Sequence, residues 1–358
     1  MGFAALVAAA GTACSGSSAP TDVDLGSGPA VAGQVKEGAL DGVTLTFVSW
    51  GGAYQDAQKT SVMDPFAKQS GATVLDDGPT EYAKLQAQIA NKQVSWDVVD
   101  VDGFYTPTRC GTELMKLDWS IIDKSQVPEG MATDCSVPAN VFGDVLAFNE
   151  DKVGDAPTSW ADFFDVAKYP GKRAVSQSTD TGVFEAALLA DGVSPDNLYP
   201  LDVPRAVRKL NSIRDHLVFY TSGSQAQQML ESGEVDMGIV WTSRARGAAE
   251  SGAPVAVMWD QAFSTYESLA VPTGVKNPKA AMALINFYLG VDQQNEFAAM
   301  NGSGPVNTEA TPAYKGDAGS FQITNPAYAD KVVKIDMNYW GQNYKMLDDS
   351  YNGWVSGA

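Results

Sequence analysis

From residue 42 onward the apolar and polar positions follow two rhythms. Short runs of period two, "VTLTFVS" (43–49), "ATVLD" (72–76) and the more continuously apolar "WDVVDVDG" (96–103), predict strands. Between them the apolar residues take helical spacing. One such stretch carries Tyr54, Ala57 and Phe66, and "TEYAKLQAQIANK" (80–92) places Tyr82, Leu85 and Ile89 on one face behind a capping Thr80. A second set begins near residue 150. There "SWADFF" reads as a helix capped by Ser159, "GKRAVSQ" as a strand, "TGVFEAALLADG" as a helix stopped at Gly192, and "VPRAVRKLNSIRDHL" as another helix. The alternation continues through "VFYTSG", "AQQMLESGE", "VDMGIVW", "PVAVMW" and "YESLAVPTG". It then reaches "NPKAAMALINFYLG", a helix between Pro278 and Gly290. Repeated βαβ units predict an α/β fold with a mostly parallel sheet covered on both faces by helices, and ligands in such sheets collect at the carboxyl ends of the strands.

Composition changes this picture in two ways. At 358 residues and 44% apolar content the chain can bury a substantial core, and its length favours two domains. Its 43 Asp and Glu against 24 Lys and Arg give a net charge of −19. With no basic run, that balance excludes a nucleic-acid partner and suits a soluble monomer. Against so acidic a background, "IVWTSRARG" (239–247) stands out, because a strand-ending Trp241 is followed within one helical turn by Arg244 and Arg246.

The first residues bear on compartment. "MGFAALVAAAGTACSGSS" holds an apolar stretch too short to span a bilayer, ending in small residues and Cys14. It resembles a bacterial lipoprotein signal, with Cys14 the lipidated first mature residue and residues 1–14 the signal peptide. Gly11 stands where such signals usually carry a Leu-like residue, and no Lys or Arg precedes Lys36. Residues 15–41, rich in Gly, Ser, Ala and Pro, read as a flexible tether to an extracytoplasmic body. With Cys14 taken by lipid, Cys110 and Cys135 are left to pair in an oxidising compartment, closing a loop that adds on the order of 3 kcal/mol. Their spacing and the lack of a partner histidine do not fit a zinc site, and no metal is expected.

Chemistry of turnover is not advertised. The single histidine, His216, falls late in a helix, where its partial positive charge suits the dipole. The sequence has no nucleophile elbow, Walker A loop, H-E-x-x-H or dinucleotide fingerprint, so neither catalytic residues nor a cofactor is expected. Tyr339 and Tyr344 in "MNYWGQNY" invite a ferric-ion reading, but they do not form a recognisable metal set and are expected to pack the C-terminal helix.

Five segments, in order, carry a family likeness: "SWGGAY", "SWADFFDVAKYPGKRAV", "GEVDMGIVW", "YESLAVPTG" and "NPKAAMALINFYL". Over roughly residues 42–357 the chain resembles the substrate-binding proteins of bacterial ABC importers, in the polyamine and 4-aminobutyrate class. The resemblance implies the type II periplasmic-binding fold: two lobes, each a mixed, mostly parallel sheet flanked by helices, joined by crossing strands. It places lobe 1 at 42–147 and 268–313 and lobe 2 at 148–267 and 314–358, with crossings near "VLAFN" (145–149) and "ESLAV" (267–271). It also implies closure on a small solute and delivery to a membrane permease.

The same resemblance assigns residues. Trp50 and Trp241 would face each other across the cleft, and Glu267, with Tyr266 beside it, would meet the ligand amine. Aromatic faces and a carboxylate together replace the water an ammonium loses, cation–π contacts contributing about 0.5–2 kcal/mol each. Thr179 and Gly182 stand where polyamine binders carry acids, leaving Asp180 nearby. Arg244 matches the arginine that forks onto the carboxylate in members that bind 4-aminobutyrate, a role lysine fills poorly. Tyr54 and Asp102 are further cleft residues, and Arg246 reads as a surface charge. One acid and one base across an aromatic slot suit a zwitterion, so an omega-amino acid such as 4-aminobutyrate is expected, with a polyamine as the alternative.

Overall fold

Each period-two run becomes a strand, and all of them join one sheet in the computed structural model, which describes residues 23–179, 182–314, 316–328 and 330–357. The first elements are β1 (Thr44–Val48), α1 (Gly52–Gln58), α2 (Asp64–Ser70), β2 (Thr73–Asp77), α3 (Tyr82–Ala90) and β3 (Val98–Asp102). A long strand, β4 (Ser136–Asn149), leads to α4 (Glu150–Val153), α5 (Trp160–Phe164), β5 (Arg173–Ser176), α6 (Val183–Ala190), α7 (Val203–Asn211) and β6 (Leu217–Tyr220). Then come α8 (Gly223–Glu231), β7 (Met237–Trp241), α9 (Thr242–Glu250) and a second long strand, β8 (Val255–Ala270). The chain ends with α10 (Pro278–Tyr288), α11 (Val291–Asn301), β9 (Val333–Lys334) and α12 (Met337–Ser356).

The strand order is β2-β1-β3-β8-β4-β7-β5-β6, with β9 beside β8. Two parallel groups, β2-β1-β3 and β7-β5-β6, flank an antiparallel pair made by β4 and β8. β3 pairs with Glu267 to Ala270 of β8, whereas β7 pairs with Asp144 to Phe148 of β4. Both long strands therefore begin in one parallel group and end in the other, which is the two-lobed architecture the resemblance implies. Between those pairings, over Val141–Gly143 and Ser264–Tyr266, β4 and β8 run without either group beside them, and Val141 instead exchanges backbone hydrogen bonds with Gly304 (2.7 and 2.9 Å).

This register corrects the expected crossings. "VLAFN" already belongs to the second group, because β7 takes residues 144–148 as its partner. Glu267 already belongs to the first, lying opposite Asp102 on β3. "PVAVMW" and "YESLAVPTG" are not separate strands but the two ends of β8, which bulges between Met258 and Phe263 opposite Val145 and passes through a positive φ of 62° at Gln261. Thr80 does not cap α3: its hydroxyl donates to the Asp100 carbonyl (2.8 Å) and Glu81 precedes the helix. Ser159 does open α5, with the Asp162 carboxylate accepting from its backbone N–H (3.3 Å).

The tether expectation also changes. Residues 23–41 lie against the first lobe: Val23, Val35 and Leu40 are buried, Gly33 N–H donates to the Asn286 carbonyl (2.9 Å), and the Asn286 amide donates to the Val31 and Gln34 carbonyls (2.9 and 3.0 Å). The few aliphatics of this Gly-rich stretch find cover beside α10. Residues 1–22, including the signal segment and Cys14, lie outside the described residues. Cys110 and Cys135 form the expected disulfide, tying the loop after β3 to the start of β4.

Candidate ligand-binding site

The first lobe brings an aromatic ladder and a row of acids to the carboxyl ends of β1 and β3. After β1 the chain turns through Gly51 and Gly52, at φ 74° and 58°, conformations that favour glycine, and this turn presents Trp50. The half-buried Trp50 ring stands edge-on to Tyr82 at 6.4 Å between centroids, and Tyr82 stacks on Tyr105 at 4.0 Å. Behind them the Arg109 guanidinium covers the Tyr105 ring at 4.0 Å. The Tyr82 hydroxyl donates to the Asp102 carboxylate and accepts from the Asp102 N–H (3.2 Å). Burial pushes the Asp102 carboxyl up to about 6, a rise the Tyr82 hydroxyl opposes.

Strand register gathers the other polar groups around Asp102. Glu267 lies opposite Asp102 on one side and Asn140 on the other. It is 8% exposed, and its negative charge adds to the burial that raises the Tyr54 and Tyr82 phenols. Beneath this row is Asp100, fully buried, accepting from Gln58 Nε2 (2.6 Å), the Tyr54 hydroxyl (3.0 Å) and Ser49 Oγ (3.3 Å). Burial pushes Asp100 up to about 7, against those donors, and the Asp102 charge adds to the rise. Tyr54, expected in the cleft, is thus bound into an internal network, its hydroxyl also 2.7 Å from Asn140 Oδ1.

The second lobe contributes a different wall. Trp241, half-buried, ends β7 opposite Asp144, four residues beyond Asn140 on β4, so roughly 13 Å of strand separates its row from that of Glu267. The chain passes directly from Trp241 into α9, which puts Arg244 in the first helical turn. A cation there opposes the helix dipole, so helix stability does not account for it. Arg244 and Trp241 lie together against the start of α8: a Cβ at Gly223 would come within 2.4 Å of Arg244 Nε and 2.9 Å of Trp241 Cζ3. Arg244 Nε is buried without an acceptor, and burial alone lowers the guanidinium pKa, with no carboxylate among the described residues contributing. A half-buried cation at two helix amino ends is matched to an anion.

Residues 61–322 match the family described as bacterial extracellular solute-binding protein. The chain belongs to that family. It is 30% identical over 321 residues to the gamma-aminobutyric acid-binding protein of Pseudomonas aeruginosa, covering 87% of this chain and 91% of that one. It is 27% identical over 302 residues to the spermidine/putrescine-binding periplasmic protein of Escherichia coli, covering 80% and 84%. A solved GABA receptor structure superposes with a TM-score of 0.80 at 39% identity, covering 87% of this chain and 97% of that one. Like other solute-binding proteins of ABC importers, this one takes a small solute and works with a membrane permease. Relatives of this solute-binding protein are periplasmic, and among the described residues no helix is long and apolar enough to cross a membrane.

The remaining expected residues are placed as follows in this solute-binding protein. The Tyr266 ring packs on Gly103, whose N–H donates to the Tyr266 carbonyl (3.0 Å), and burial, followed by the Asp336 charge, raises its phenol. Thr179 donates to Asp348 (2.5 Å), Gly182 packs on Asp144 and Phe263, and Asp180 lies outside the described residues. Arg246 is not a free surface charge. Its side chain is 13% exposed, with Nε 3.4 Å from Glu250 Oε1 and Nη2 donating to the Met300 carbonyl (3.4 Å), so it ties α9 to the end of α11. His216 Nδ1 sits 3.1 Å from the Pro170 carbonyl oxygen. Tyr339 and Tyr344 pack α12, on Tyr199 and Phe104, and among the described residues no group of three His, Cys, Asp or Glu could hold a metal. Sequence reasoning passed over Tyr82, Asp100, Asn140 and Gly223 as site residues. For Asp100 the signal was available, since acids two apart in "VVDVD" share one face of a strand.

Proposed function

We propose that this solute-binding protein captures a zwitterionic omega-amino acid, such as 4-aminobutyrate, for import by an ABC transporter. The observation that carries the reading is Arg244: a half-buried guanidinium beside Trp241, in a helix turn where a cation is unfavourable, with no carboxylate of the described residues as its partner. A ligand carboxylate supplies that partner. The acid row of Asp102 and Glu267, edged by Trp50 and Tyr82, supplies the opposite end with the carboxylates and ring faces an ammonium needs. The relatives named for gamma-aminobutyric acid support this choice of cargo.

In this reading Trp50, Asp102 and Glu267 belong to the first lobe and Trp241 and Arg244 to the second. Ligand held by both favours the closed arrangement, with bending at Val141–Gly143 and Ser264–Tyr266, where the long strands have neither parallel group beside them. Tyr54 acts one step back, as the support that fixes Asp100 and Asn140. Tyr266 holds the loop after β3. The protein works as a monomer without catalysis, cofactor or metal and is anchored outside the cytoplasm through a lipid on Cys14. A polyamine is the second reading, favoured by the acid row and by the spermidine/putrescine relatives, but a second ammonium would then sit against Arg244.

Titration calorimetry of 4-aminobutyrate and putrescine against wild type and Arg244→Ala tests this. The expected result is loss of 4-aminobutyrate binding by roughly a hundredfold, with putrescine binding kept or improved. Unchanged 4-aminobutyrate affinity in Arg244→Ala would remove the carboxylate role.

A further inference from the structure

We infer that Gly223 is a specificity determinant of this site: by lacking a side chain it makes the place in which the Arg244 guanidinium lies beside Trp241. The inference rests on the carboxylate reading of Arg244 and adds to it the residue that sets where the guanidinium points. A Cβ built on Gly223 would stand 2.4 Å from Arg244 Nε, 3.0 Å from Arg244 Cζ and 2.9 Å from Trp241 Cζ3. All three neighbours belong to the two residues of the second wall, and none is backbone.

The chemistry of that crowding decides where its cost falls. Gly223 begins α8, behind Ser222, whose hydroxyl accepts from the Gln225 N–H (3.2 Å), and its φ lies outside the left-handed region. Neither the turn nor the cap requires glycine here, and alanine is the better helix former. Close approach to Arg244 and Trp241 is what the position supplies. The atoms in the way of a methyl group are the mobile end of an arginine and the rim of a half-buried indole, which can swing aside. Glycine at 223 therefore contributes little to folding, and its effect is on the direction of the guanidinium. Bidentate pairing with a carboxylate depends on that direction, whereas an ammonium at the opposite end does not.

Three proteins separate this inference from the reading beneath it: wild type, Gly223→Ala and Arg244→Ala, each titrated with 4-aminobutyrate and with putrescine. Gly223→Ala is expected to weaken 4-aminobutyrate binding by roughly tenfold to a hundredfold, to weaken putrescine by a clearly smaller factor, through the displaced Trp241 rim alone, and to melt, ligand-free, no lower than wild type. A crystal structure of ligand-free Gly223→Ala should find the guanidinium moved off the first turn of α8. If Arg244→Ala loses 4-aminobutyrate while Gly223→Ala binds it like wild type, or if the guanidinium keeps its place in Gly223→Ala, the role of Gly223 is overturned and the carboxylate reading stands. If Arg244→Ala binds 4-aminobutyrate like wild type, both fall together.

Discussion

The two walls of the site are held in place by opposite means. On the first, Asp100 has three side-chain donors, Asp102 has Tyr82, and the rings support one another from Trp50 through Tyr82 and Tyr105 to Arg109. On the second, Arg244 is aimed by packing, against Trp241 and the bare backbone of Gly223, and its Nε has no acceptor. A networked wall loses function gradually as single bonds are removed, because the remaining donors keep its groups in place. A packed but unsatisfied wall loses it abruptly, because one atom group carries the interaction.

The sharpest way to break this contrast is Arg244→Lys. Keeping the charge while losing the planar fork should cost 4-aminobutyrate binding about 2–3 kcal/mol, close to the alanine variant. Calorimetric affinity near wild type would mean that charge alone suffices and that the packing around Gly223 does not matter. Next in size, Trp241→Ala should weaken both 4-aminobutyrate and putrescine by about 1–2 kcal/mol, since an aromatic face serves either ligand; equal affinities in mutant and wild type would take the indole out of the site.

The first wall should answer to pH instead. Asp100 and Asp102, raised by burial to about 7 and about 6, hold protons more tightly in the folded chain than in the unfolded one. Their contribution to stability is full below the ordinary carboxylate range and is lost as pH rises toward 7. Thermal melts of the ligand-free protein should therefore show a component that declines over that window, and Asp100→Asn should flatten it. Affinity for the ammonium end runs the other way, increasing several-fold as Asp102 ionises. A flat profile for both would take these acids out of the account. Smallest of all, Tyr82→Phe should cost about 0.5–1 kcal/mol of ligand affinity and move the pH midpoint upward, because the hydroxyl that favours ionised Asp102 is gone. A drop as large as that of Arg244→Lys would mean that the first wall is no more tolerant than the second.

Much of this was legible in the sequence, for reasons that also explain the gaps. Period-two runs gave the strands because a half-buried sheet imposes alternation, and the "VDMGIVW" to "TSRARG" junction was legible as a strand passing straight into a helix, with Arg244 in its first turn. The long strand β8 was divided in two because its bulge at Gln261 interrupts the alternation. Residues 23–41 read as tether because composition reports flexibility, whereas their burial rests on a few residues, Val23, Val35 and Leu40, meeting a helix some 250 positions later. Gly223 was invisible for a related reason. A glycine at the first turn of a helix is unremarkable until the side chain that fills its missing volume is known to be an arginine from the next helix.

The docking of that N-terminal segment makes the two jaws mechanically unequal. Whatever holds the chain ahead of Val23 holds the jaw bearing Trp50, because the Asn286 clasp grips the same body. Under the proposed anchoring and closure, the acid row would be the fixed anvil and the guanidinium would arrive on the arm that swings.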